Sequence, residues 1–323
     1  MLILNPNPCF TRTLKLAKLV PGAVMRSEPA EIRAGGKGID LARVARSLGV
    51  SARLLILIGE DDLVSFSQLL REEKMEFEYS THVGKIRIAT TYAELLGNTT
   101  TIINEETSAI SNIEWDRYLA LISKRIRPKE IVAIMGSFPE GAPEDFIARV
   151  IEMAHANESV VLIDSKPDLL EIALKSGVDI VSPNLDEAEA VINQSSGTLL
   201  TGDNTRGQQR AEQAALLLVE LGAKIALVHA GSVGAALAFG GKVSFLPSAK
   251  VEVKSAVGAG DSFAAGFILK SEEQGNVWEL ANIDWLQSLR FATATAAAAC
   301  ELGRSGEVDP IRVAEIFYDI NKD

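Results

Sequence analysis

Cysteine is nearly absent from this chain. Cys9 and Cys300, near opposite ends of 323 residues, are the whole complement, which leaves no disulfide framework and no cysteine-based zinc cluster. Both read as buried free thiols of a reducing compartment. A basic run is also missing: 32 Lys and Arg face 43 Asp and Glu, a formal net charge of −11. Nucleic-acid phosphates need clustered cations, so nucleic acid is excluded as a partner, and the same field disfavours an anionic membrane surface. The longest apolar stretches, Leu54–Ile58 and the alanine-rich 292–300, fall well short of the ~20 residues that span a bilayer. Met1–Leu4 meets Asn5 and Pro6 at once, too soon for a secretory leader. The expectation is a cytoplasmic protein. Neither a G-x-x-x-x-G-K-[ST] loop nor an early strand followed by G-x-G-x-x-G occurs, which excludes two common nucleotide-binding signatures.

What is present is a chain long enough for two domains or for one large α/β domain carrying an insertion. Apolar residues make up 47% and charged residues 23%, an ordinary balance for a packed globular enzyme. Apolar runs at 54–58, 131–135, 160–163, 180–181 and 225–228 end at Gly, Asp, Ser or His and alternate with helical periodicity, as at 144–157. That rhythm predicts a parallel sheet covered by helices on both faces, followed by a mostly helical stretch of the last ~65 residues. Two segments break the rhythm: Thr11–Val20 with Met25–Ala34, and Lys85–Glu94 with Thr99–Ile103, joined across 96–98. They read as hairpins without a following helix, hence a small β-sheet lid drawn from about 11–34 and 85–104. No repeat or low-complexity linker is visible, so the expected architecture is a single domain over 1–323 with the lid inserted in it.

Three motifs carry chemistry. Gly35-Gly36-Lys37-Gly38-Ile39-Asp40 opens a segment of helical spacing. Glycines there let a ligand approach the backbone, and free N–H groups with Lys37 favour an anion; a tight turn with a solvated lysine is the plainer alternative. Gly258-Ala259-Gly260-Asp261 leads into an apolar helix. Its amides can hold developing negative charge, and Asp261 can take a proton from an attacking hydroxyl; otherwise Asp261 is a helix N-cap. Pro183-Asn184-Leu185-Asp186-Glu187 closes a strand. Its amide and carboxylate suit water-held Mg²⁺, or else form a capping box. Gly231-Ser232-Val233-Gly234 and Gly136-Ser137 follow strands, where open α/β sheets bind ligands, or are plain turns.

Taken in order, GGKGIDLARVARSLG, GSFPEG, SPNLDEAEAV and SAVGAGDSFAAGF resemble the landmarks of the PfkB family of ribokinase-like carbohydrate kinases, over essentially the whole chain. NPNPCFTRT at 5–13, Ile86-Arg87, TTIINEE at 100–106 and Val257 resemble its 1-phosphofructokinase and tagatose-6-phosphate kinase branch. The resemblance implies a three-layer α/β/α fold with a small β-sheet lid, through which two copies of the chain could pair. It implies Asp261 as general base, with Gly258, Ala259 and Gly260 as the anion hole. His229, Gly231, Ser232, Gly234 and Gly260 would line the ATP pocket, and Asn184 and Glu187 would serve Mg²⁺. Gly35, Gly36, Lys37, Asp40, Arg87 and Ser137 would contact a sugar phosphate. Thr11 stands where that branch usually carries an acid, and Asp40 where the family commonly has Asn. Ser182 replaces a frequent Lys, and His229 and Ala256 replace small hydroxyl residues. The expected activity is ATP-dependent phosphorylation of a sugar phosphate, fructose 1-phosphate to fructose 1,6-bisphosphate first. The rivals are tagatose 6-phosphate or fructose 6-phosphate as acceptor, an unphosphorylated sugar or nucleoside, and a non-catalytic sensor. Lys37 and Arg87 weigh against the unphosphorylated acceptors, and the retained Asp261 against the sensor.

Overall fold

The structure is a computed structural model that describes residues 1–97, 99–196 and 206–322. Its strands are β1 (Leu2–Asn5), β2 (Cys9–Leu16), β3 (Glu31–Gly35), β4 (Arg53–Gly59), β5 (Phe77–His82), β6 (Arg87–Glu94), β7 (Thr100–Asn104), β8 (Ile131–Met135), β9 (Val160–Asp164), β10 (Ile180–Val181), β11 (Ile225–His229), β12 (Gly234–Phe239) and β13 (Lys242–Pro247). The main sheet runs β13-β12-β11-β10-β9-β8-β1-β4-β5. Strands β5 to β11 of that order are parallel, as their apolar runs predict. Both faces of β8 and β9 are buried because every position from Ile131 to Met135 and from Val160 to Ile163 is apolar.

One face is covered by α1 (Lys37–Ser47), α2 (Leu63–Glu72), α8 (Ala259–Glu273), α9 (Trp285–Leu302) and α10 (Pro310–Ile320). The other is covered by α3 (Asn112–Arg125), α4 (Phe146–His155), α5 (Pro167–Lys175), α6 (Leu185–Ser196) and α7 (Gly207–Glu220). The sheet therefore separates two apolar cores, giving the three layers expected.

Three features depart from the sequence reading. β12 and β13 form an antiparallel pair at one edge, turned by Gly240 and Gly241 with φ of 59° and 75°, the left-handed pair that a two-residue hairpin demands. β5, at the other edge, is Phe-Glu-Tyr-Ser-Thr-His, too polar to announce itself as an apolar run. The first hairpin is shorter than expected. Its strands stop at Leu16 and resume at Glu31, with Pro21 and Pro29 in between, neither able to donate to a ladder. The second hairpin pairs β6 with β7, and β2 lies parallel to β6, so the two hairpins make one sheet, β3-β2-β6-β7. The turn expected at 96–98 ends in residue 98, which lies outside the described residues. No helix among the described residues is long and apolar enough to cross a membrane.

Candidate active site

The carboxyl ends of the parallel strands and the amino ends of α1, α6 and α8 meet at one crevice, where an open α/β sheet offers free backbone groups. Asn5, the last residue of β1, accepts a hydrogen bond from the Gly38 N–H at 2.8 Å. A Cβ on Gly36 would lie 2.7 Å from Asn5 Oδ1, and one on Gly38 2.8 Å from Asn5 Cβ. The glycines of the first motif are thus required by a neighbouring side chain as well as by any ligand. Gly36 also adopts φ of 130°, open to glycine.

Between Gly36 and Gly38, Lys37 is held by two carboxylates. Its Nζ donates to Asp164 Oδ1 at 2.5 Å and lies 3.8 Å from Glu187 Oε1. Burial opposes its charge, but Asp164, Asp261 and Glu187 together outweigh burial and hold the ammonium above its ordinary range. Asp164 ends β9, is 1% exposed, and its Oδ2 has no hydrogen-bond partner. The one sequence signal for it is a carboxylate closing the run Val-Val-Leu-Ile.

Asn184 and Glu187 close a capping box at the start of α6. The Glu187 N–H donates to Asn184 Oδ1 at 2.8 Å, and the Asn184 N–H to Glu187 Oε2 at 3.0 Å. The box leaves Oε1 facing Lys37, so capping and ligand holding share one carboxylate. Burial pushes the Glu187 carboxyl up, opposed by Lys37 and reinforced by Asp164.

α8 begins at Ala259, with Gly258 as its N-cap at φ of 80° and no side-chain cap. Asp261 is therefore inside the first turn and is not the cap. The first-turn N–H groups, among them Gly260, have no intrahelical acceptor. Asp261 is 8% exposed. Burial pushes its carboxyl well up, Asp40 adds to this, and Lys37 opposes it.

A cavity of about 470 Å³ opens beside this helix end. His229, Gly231, Ser232, Gly234 and Gly260 all line it, with Phe263, of the same motif as Gly260, and Val251, which carried no motif. The His229 ring lies against Gly260, where a Cβ would come within 3.1 Å of Cε1. Burial lowers the proton affinity of His229.

The remaining expected residues gather at the other end. Arg87 begins β6 and donates to Asn7 Oδ1 at 3.1 Å. Asn7 donates to Ser137 Oγ at 3.0 Å. Asp40 engages both its oxygens with the protein, Oδ1 with Arg43 at 2.6 Å and Oδ2 with Ser305 at 2.5 Å. Both oxygens are thus engaged internally, one of them by Arg43 one helical turn on. Asn5, Asn7 and Asp164 were not singled out from sequence, because Asn5 and Asp164 are single polar residues at strand ends and Asn7 lies in the turn between β1 and β2.

The fold and this crevice define an α/β protein with a helix end, free of side-chain caps, beside a cavity of about 470 Å³. Residues 7–311 match the family described as pfkB family carbohydrate kinase, and the chain belongs to that family. The 1-phosphofructokinase of Haemophilus influenzae is 27% identical over 94% of this chain and 91% of its own length. That of Escherichia coli is 26% identical over 98% and 95%. Among solved structures, Escherichia coli phosphofructokinase-2 in complex with fructose-6-phosphate superposes with a TM-score of 0.86, at 22% identity over 99% of both chains. The Thermotoga maritima ribokinase gives 0.70, at 21% identity over 100% of this chain and 99% of that one. The fold is ribokinase-like.

Proposed function

We propose that the protein transfers the γ-phosphoryl group of ATP to a hydroxyl of a sugar phosphate, with fructose 1-phosphate as acceptor and fructose 1,6-bisphosphate as product. The observation that carries this reading is a buried carboxylate, Asp261, in the first turn of a helix whose Gly260, with no intrahelical acceptor for its N–H, lines the cavity, with the Lys37 ammonium within electrostatic reach. Curated relatives named 1-phosphofructokinase support the choice of acceptor.

The acceptor hydroxyl attacks the γ-phosphorus in line, the bond to the ADP oxygen breaks, and Asp261 takes the hydroxyl proton. A carboxyl whose proton affinity is raised by burial is a better base than an exposed one. The Gly258, Ala259 and Gly260 segment places amides at the developing charge. The apolar cavity holds the nucleoside beside His229, Gly231, Ser232 and Gly234. Arg87 and Ser137 hold the acceptor near Gly35 and Gly36, and the small sheet acts as the lid that excludes water.

Mg²⁺ fits the residues present: Asp164 keeps a buried oxygen without a partner, and Glu187 shares the Lys37 ammonium with it and is bonded to Asn184. Among the described residues no three ligating side chains form a cluster by themselves, which suits an ion that brings phosphate oxygens with it. When bound, the ion neutralises phosphate charge.

The same reading places the protein in the cytoplasm, where ATP is held, and pairs two copies through the small sheet. Ile32 and Ile103, in one cross-strand row with Arg12 and Thr90, are 53% and 56% exposed. Light scattering coupled to size exclusion should show a dimer that Ile103→Asp dissociates. The activity is tested by ADP release with fructose 1-phosphate, fructose 6-phosphate, tagatose 6-phosphate, ribose and a nucleoside. Fructose 1-phosphate should give the highest kcat/KM, and equal or better turnover of the unphosphorylated compounds would refute the acceptor assignment.

A further inference from the structure

Arg87 is an arginine held without an acid. It donates through Nε to Asn7 Oδ1 at 3.1 Å, through Nη2 to the Asn7 carbonyl at 3.3 Å, and through Nη1 to Asn104 Oδ1 at 3.3 Å. All three acceptors are neutral oxygens, and Arg87 forms no ion pair among the described residues. A guanidinium has five N–H donors, so two remain after these three bonds, and its charge is uncompensated. Arg33, on the same small sheet, is treated differently: Glu73 lies at 3.4 Å and Glu307 at 2.8 Å.

Asn7 is the common anchor. It is 9% exposed. Besides receiving Arg87 twice, its Oδ1 accepts from Thr107 Oγ1 at 2.7 Å, and its Nδ2 donates to Ser137 Oγ at 3.0 Å. One residue thus ties together the second residue after β8, the start of β6 and the segment after β7. The tie is made with dipoles only. A carboxylate at this position would accept from Arg87 more strongly but would cancel its charge.

We propose that Asn7 is a positioning residue of the acceptor site: it aims Arg87 and clamps the small sheet while leaving the guanidinium charge free for an anionic group of the acceptor. This rests on the phosphosugar reading above. Asn7 acts through Arg87 and Ser137 and needs no contact with the substrate itself.

The test compares wild type with Asn7→Asp, Asn7→Ala, Arg87→Gln and the Asn7→Asp/Arg87→Gln double variant. Fructose 1-phosphate and ATP are titrated in steady state, fructose 1-phosphate binding is measured by calorimetry without ATP, and Tm is recorded. Asn7→Asp keeps or raises Tm, because it turns a dipolar tie into an ion pair. It should nevertheless raise the KM for fructose 1-phosphate by about tenfold or more, the scale of one charged hydrogen bond, with ATP KM and kcat within about twofold. Asn7→Ala should raise the same KM by less, about threefold to tenfold, since it frees Arg87 without neutralising it. In the Arg87→Gln background Asn7→Asp should add less than about threefold, which separates action through Arg87 from direct repulsion of the ligand. An unchanged fructose 1-phosphate KM in Asn7→Asp, equal rises in both KM values, or full additivity in the double variant would each overturn the assignment. If wild type instead binds fructose as well as fructose 1-phosphate, the phosphosugar reading itself fails.

Discussion

The two ends of the crevice are built by opposite means. At the end proposed for the nucleotide the chemistry is assigned to one unbroken stretch, Gly258 to Asp261, set at the amino end of α8, where the Gly260 N–H has no intrahelical acceptor. The groups proposed for the acceptor, Asn7, Arg87, Thr107 and Ser137, come from the turn between β1 and β2, the start of β6 and the segments after β7 and β8, and meet through side-chain hydrogen bonds. Backbone is hard to substitute, and side-chain hubs are easy to rewire. The comparison suggests an enzyme whose chemical step is fixed and whose acceptor choice is adjustable.

That contrast can be broken. The largest effect is expected at the fixed end, from Asp261→Asn. Turnover should fall by about 10²–10⁴, the span of a positioned general base, while ATP binding by calorimetry stays near wild type. Tm at neutral pH should rise, because the variant removes a charge whose burial disfavours its ionised form. An active Asp261→Asn enzyme would mean that the helix end is only structural.

The adjustable end should respond more mildly. Arg87→Lys should raise the KM for a sugar phosphate by about tenfold, because Lys cannot copy a bidentate contact. The ATP KM should hardly move. Equal changes in both constants would erase the distinction between the ends.

Glu187→Gln lies between them. The capping box survives, since Gln also reaches back to the Asn184 N–H, so Tm should stay within a degree or so of wild type. The Mg²⁺ concentration for half-maximal rate should rise severalfold. An unmoved Mg²⁺ titration would leave Glu187 a cap alone.

The smallest effect tests whether the ends communicate. Asp40 raises the proton affinity of Asp261, and Asp261 must be ionised to accept a proton, so kcat/KM falls as pH drops through its pKa. Removing the Asp40 charge stabilises ionised Asp261 and lowers that pKa. Asp40→Asn should therefore carry the acid limb of the kcat/KM profile to lower pH. A limb that stays in place would show the two carboxylates to be uncoupled.

Legibility in the sequence divides along the same line. The three layers follow from apolar runs such as Val160–Ile163, and Gly258–Asp261 is local enough to read as a helix-end site with a base. All five residues expected beside the nucleotide line one cavity. Lys37 and Asp40 were read correctly as charged residues at a glycine-rich helix start, but their partners, Asp164 and Ser305, lie 127 and 265 residues away in sequence. No periodicity encodes a pairing at that range. Asn7 is hidden for a similar reason, as an amide between two prolines looks like turn material until Arg87 and Ser137 arrive.

Gly35 pairs with Cys9 across β2 and β3, and a Cβ on Gly35 would overlap Thr11 Oγ1, two residues along β2, and come within 3.1 Å of Cys9 Sγ. The two positions therefore constrain one another's history. With the Thr11 hydroxyl where it stands a side chain at 35 has no room, and shrinking Thr11 removes the tightest contact, leaving Cys9 Sγ to yield by a few tenths of an ångström. Mutational paths that remodel this wall of the crevice must pass through position 11 before position 35. A library randomising both should recover larger residues at 35 together with glycine or alanine at 11.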